Sequence, residues 1–162
     1  MSAYSFIAAD YELPELDNTK KRFITPAEAM ELGLAAPSYK PWEEFAPEEK
    51  ILVFEREEDM YELAINKACY ADLETLMRTC LPYIYAVDFL YTDSRAQELV
   101  EYIKKNAKAG GELELWEIWL DDAAPAKPVD CDIGALTTEH IKTLYDRSYE
   151  KHVYPGCLRI HA

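Results

Sequence analysis

Residues 83–120 read YIYAVDFLYTDSRAQELVEYIKKNAKAGGELELWEIWL. The first nine, Tyr83 to Tyr91, are rich in aromatic and β-branched side chains, which suit a pleated, half-buried surface. Tyr83, Tyr85, Val87, Phe89 and Tyr91 share one face of an extended chain; Ile84, Ala86, Asp88 and Leu90 share the other. Both faces are apolar apart from Asp88, the pattern of a strand inside a sheet covered on both sides. A helix follows. Thr92, Asp93 and Ser94 can each cap it, and Ser94 with Gln97 fits a capping box. Ala96, Leu99, Val100, Ile103 and Ala107 make its apolar stripe, with Lys104, Lys105 and Lys108 late in the helix, where cations complement its dipole. Gly110-Gly111 ends it, and Leu113 to Leu120 is a second strand. That strand's alternation slips at Trp116, so either both its faces are buried or a β-bulge resets the phase. A strand, helix and strand this closely spaced predict a parallel βαβ unit over 83–120.

Outward from this unit, Ser2 to Ala9 reads as a short strand with Tyr4, Phe6 and Ala8 on one face. Thr25-Pro26-Ala27-Glu28 opens a helix that Gly33 closes. Residues 34–49 hold Pro37, Pro41 and Pro47 and exclude regular structure. Ile51 to Glu55 is a strand; residues 60–66 alternate as a second, with a helix from Asp59 as the competitor. Asp72 caps a helix carrying Leu73, Leu76, Met77 and Cys80, which Pro82 stops. Residues 121–135 read as a loop, Thr137 caps a last helix with Leu136 stapled against Ile141, and Cys157 to His161 is a terminal strand. The expected fold is α+β, or a small α/β domain: a mixed β-sheet of about five to six strands covered by three to four helices. The whole chain, 1–162, is read as a single domain, with 1–49 as a proline-rich acidic N-terminal arm packed on a 50–162 α/β core.

The net charge of −14 is unevenly spread. Residues 1–49 carry 4 basic and 10 acidic side chains, 50–122 carry 8 and 16, and 123–162 carry 5 and 5. Such a surface repels nucleic acid and anionic membrane and favours a basic protein partner. The Lys20-Lys21-Arg22 cluster is too small to reverse this. No apolar run approaches the roughly 20 residues of a membrane span. The start, Met1-Ser2-Ala3-Tyr4, has no basic-then-apolar export pattern, so the expected location is cytoplasmic and the thiols of Cys69, Cys80, Cys131 and Cys157 are expected reduced. Cys69 and Cys80 lie among apolar residues and are expected in the core.

Glycine-rich phosphate loops, a serine-nucleophile elbow and H-E-x-x-H are all missing, so no cofactor is expected. Cys131, His140, His152 and Cys157 are zinc-ligand types at a spacing that matches no compact pattern, so no metal is expected. Asp130 and Asp132 flank Cys131 and oppose its activation as a nucleophile. The sharpest catalytic candidates are Asp88 and Glu117, each an acid inside an apolar strand; facing each other, they would form an acid–base pair. Trp42 and Phe45, in the proline-rich stretch, either pin it to the core or mark a docking surface. Tyr145, Tyr149 and Tyr154 cluster around the last helix and turn and either line a groove or edge the core. These features favour a non-catalytic interaction module of inhibitor, immunity or regulatory type. The alternatives are a small enzyme built on the carboxylate pair and a domain that binds a small neutral ligand.

Overall fold

The computed structural model describes residues 3–68, 78–119, 127–145 and 156–162. They fall into two compact units, 1–17 with 62–162 and 18–61. The helix expected from Asp72 lies outside the described residues.

The larger unit is built on a seven-stranded mixed sheet, one or two strands wider than the five to six expected from the sequence. Its strands are β1 (Ala3–Ala9), β2 (Leu16–Asp17), β5 (Ala64–Lys67), β6 (Tyr83–Asp88), β7 (Glu112–Trp119), β8 (Lys127–Asp132) and β9 (Gly156–His161), in the order β2-β5-β6-β1-β7-β9-β8. Only β8 and β9 pair parallel; the other neighbours are antiparallel. β6 and β7 therefore run parallel, as expected, but β1 lies between them and the βαβ unit is split. The centre suits β1 because its Phe6, Ile7, Ala8 and Ala9 are all covered, which leaves neither face needing solvent. The strand over 60–66 begins later than expected, at Ala64, after a 3-10 turn over Glu57–Tyr61.

The two sheet faces are distinct. Ile7, Ile65, Tyr85, Val87, Leu113, Leu115, Leu158 and Ile160 pack in one cluster with the stripes of α2 (Asp93–Asn106) and α3 (Thr138–Tyr145). Phe6, Ala8, Ile84, Trp116, Ile118 and Cys157 form a second cluster from the opposite parity, with the Phe6 and Trp116 rings stacked at 5.7 Å. Both faces of β7 are thus buried and its register with β1 is continuous; no bulge is needed to explain the slip at Trp116.

Residues 18–61 fold as a small unit with their own two-stranded sheet, β3 (Arg22–Ile24) antiparallel to β4 (Ile51–Val53), plus the short helix α1 (Pro26–Glu31). The α1 capping box forms as read: Glu28 N–H donates to Thr25 Oγ1 and Thr25 N–H to the Glu28 carboxylate. The boundary of the expected arm moves accordingly, since residues 3–9 are the central strand of the other unit. Three α-helices are present among the described residues.

Candidate functional site

The register of the sheet locates the two acids of the sequence reading. Glu117 pairs opposite Ser5 on the helix-covered face, where it is buried and its carboxylate accepts a hydrogen bond from the Ser5 hydroxyl. Asp88 pairs opposite Ala64 at the end of β6, with the parity of Ile84 and Ala86, and is exposed. The two carboxylates therefore lie on opposite faces with β1 between their strands. The condition for an acid–base pair, that the two face each other, is not met, because β1 separates the strands and the register through β1 gives the two positions opposite parity.

The two cysteines of the candidate zinc set separate in the same way, and His152 lies outside the described residues. Cys131 stands opposite Ile160 on the helix-covered face, whereas Cys157 belongs to the Phe6–Trp116 cluster. Burial, and then Asp132, push the Cys131 thiol up. Burial and Glu114, against Arg159, push Cys157 up to about 12. Both are held in the protonated form that makes a poor nucleophile and ligand. Cys80 is exposed, contrary to the core position expected from its apolar neighbours. His140 serves the cap of α3: its Nδ1 accepts from Thr137 N–H at 3.2 Å. No group of described residues could hold a metal ion. No helix among the described residues is long and apolar enough to cross a membrane.

Of the aromatic candidates, Tyr145 is half-buried against Phe89, at 4.9 Å, and Tyr91, at 6.4 Å. It edges the core; Tyr149 and Tyr154 lie outside the described residues. Trp42 and Phe45 are buried and form, with Ile24 and Ala29, the core of the 18–61 unit. Their rings meet at 5.5 Å, and Trp42 Nε1–H donates to the Leu34 carbonyl at 2.9 Å. They belong to the interior of that unit and not to its exposed surface.

That surface is the part the sequence reading missed. Phe23, Met30, Leu32, Leu34, Tyr39, Leu52, Met60 and Tyr61, eight of the ten large apolar side chains left exposed among the described residues, belong to the 18–61 unit. Phe23 and Leu52 are directly opposed across β3 and β4, 60% and 46% exposed, while Ile24 beneath is covered. The signal was present: in Arg22-Phe23-Ile24, two adjacent apolar residues of a strand point to opposite faces, so one must leave the core of a two-stranded sheet. The unit carries ten acidic and six basic side chains, and acids punctuate the apolar run, as in Met30-Glu31-Leu32 and Glu57-Glu58-Asp59-Met60. One acid is internal. Asp59 is fully covered and accepts from Arg56 Nη2 at 2.8 Å and Arg56 N–H at 3.1 Å. The Arg56 hydrogen bond holds its carboxyl below the usual carboxylate range, against the opposing effect of burial.

Comparison with known proteins returned no match to a family model, to a curated protein or to a solved structure.

Proposed function

We propose that the chain is a non-catalytic interaction module that binds a basic protein through the 18–61 unit. The observation that carries this reading is the concentration of exposed apolar side chains in a small unit of acidic balance. Exposed apolar side chains concentrated in one small unit, with two of them directly opposed at Phe23 and Leu52 and charged neighbours in the sequence, are a common feature of docking sites. Apolar anchors supply the affinity and the acids steer a partner of opposite charge. The buried Trp42–Phe45 core supports the reading by giving the surface a fixed base.

The test compares the full-length chain with the double variant Phe23→Ser/Leu52→Ser by affinity capture at low salt. The reading expects a stoichiometric basic protein on the parent chain, released as salt rises, and lost from the variant. The two side chains oppose each other across the two-stranded sheet, so the variant should lose about 1 kcal/mol, and thermal unfolding must show it folded at the temperature of the capture. Equal capture by both chains, or a captured protein without a basic surface, would reject the reading.

A further inference from the structure

We infer that Tyr39 is the anchoring side chain of that contact, seated in a pocket of the basic partner; this rests on the proposed interaction role. A lone exposed aromatic ordinarily needs no explanation. Tyr39 differs in how it is presented. It is 80% exposed, the most exposed of the large apolar side chains, and stands on a turn closed by Lys40 N–H donating to the Pro37 carbonyl at 3.2 Å. The backbone around it is closed again by Glu44 N–H to Pro41 O and Phe45 N–H to Trp42 O, both 3.2 Å, and by Glu49 N–H to Ala46 O at 3.0 Å. Pro37, Pro41 and Pro47 restrict the chain further. The Tyr39 ring meets Phe45 edge-on at 6.4 Å, and Phe45 rests on Trp42. A large side chain with few rotatable bonds on a held backbone loses little freedom on binding, which is what a hot-spot residue requires.

The local charge selects the partner. Residues 31–49 hold five acids, Glu31, Glu43, Glu44, Glu48 and Glu49, and one base. That base, Lys40, is engaged within the unit: its ammonium lies 4.2 Å from the Phe45 ring centre and 4.0 Å from the Glu49 carboxylate. The chemistry that fits is a protein surface with lysines or arginines around an apolar slot, its cations meeting both the glutamates and the face of the phenol ring.

A random peptide library displayed on phage, selected on the immobilised full-length chain at physiological salt, tests this. Synthetic copies of enriched peptides are then measured on the parent chain, Tyr39→Ala and Tyr39→Phe, with thermal unfolding confirming that each variant is folded. The expected result is enrichment of peptides rich in lysine and arginine, with affinity falling at least about tenfold for Tyr39→Ala and within about threefold for Tyr39→Phe. Basic peptides that bind Tyr39→Ala as well as the parent would overturn the anchor and leave the interaction reading standing. Enrichment without basic character, or no enrichment, would overturn both.

Discussion

Gly111 shows how closely single residues are constrained. A Cβ there would lie 2.4 Å from Tyr11 Cε1 and 2.9 Å from the Lys108 carbonyl oxygen. The Tyr11 ring has little freedom to retreat, because its hydroxyl accepts from Lys108 N–H at 3.0 Å and the Lys108 ammonium lies 4.7 Å from its centre. Gly111→Ala should therefore destabilise the fold by about 1–3 kcal/mol in denaturant melts, as overpacking does. Gly110 has open space around it but a φ of +76°, so Gly110→Ala should cost about 1 kcal/mol through backbone strain alone. Tyr11→Ala should soften the Gly111→Ala loss and leave the Gly110→Ala loss unchanged. Asp59 sets a second residue-scale expectation. Its folded carboxyl titrates below its unfolded value, so its contribution is complete above the ordinary carboxylate range and is lost as the pH falls through the lower, folded value. Amide protection factors across 18–61, corrected for intrinsic exchange, should fall over that acid window, and Asp59→Asn should reduce this dependence to the share left by Glu28, whose carboxyl is also held low by its hydrogen bonds to Thr25.

At the scale of elements, caps and edges separate what local pattern can and cannot show. The α2 stripe of Ala96, Leu99, Val100 and Ile103 is buried as its spacing predicts. The cap is Thr92, whose Oγ1 accepts from Arg95 N–H at 3.2 Å, and not Ser94, which lies inside the first turn. Three adjacent capping residues offered three starting points, and sequence preference ranks them almost equally. Thr92→Ala should cost about 1 kcal/mol of stability and Ser94→Ala less than about 0.5 kcal/mol, read from thermal melts. The glycines end the connection to β7 by a turn, with Gly111 N–H donating to Lys108 O, while α2 itself stops at Asn106. Pro128 and the neighbouring acids lower the strand propensity of 127–132, so local pattern favours a loop there. β8 pairs only with β9, and an edge strand tolerates a proline because its outer N–H has no ladder partner to lose. Proline and charge at β8, and a β2 of two residues at the other edge, also leave little template for pairing with a second copy.

At the scale of the whole molecule, a charge of −14 makes any association with a charged partner sensitive to ionic strength. Exposed charges more than about 8 Å apart are largely screened at physiological salt. If the 18–61 unit docks a basic protein, the association rate should fall steeply with added salt while dissociation changes little, in stopped-flow or surface-binding kinetics. The Phe23→Ser/Leu52→Ser variant should show the opposite split, with faster dissociation and an unchanged salt slope, because apolar anchors act after encounter. A salt-independent association rate would remove the electrostatic half of the proposal.

Local chemistry carried much of the architecture. The Thr25 box, the α2 stripe, the strands at 3–9, 83–88 and 112–119 and the acidic balance are all consequences of side-chain type and spacing within a few residues. The position of β1 between β6 and β7 and the register it sets are matters of long-range pairing, which a period of two cannot encode; the first separates Asp88 from Glu117 by a strand and the second puts them on opposite faces. Trp42 and Phe45 were legible as residues that must find cover, but not what would cover them. Burial beneath a two-stranded sheet leaves Phe23, Leu52 and Tyr39 outside, because a unit of this size has too little interior to enclose every large side chain it carries.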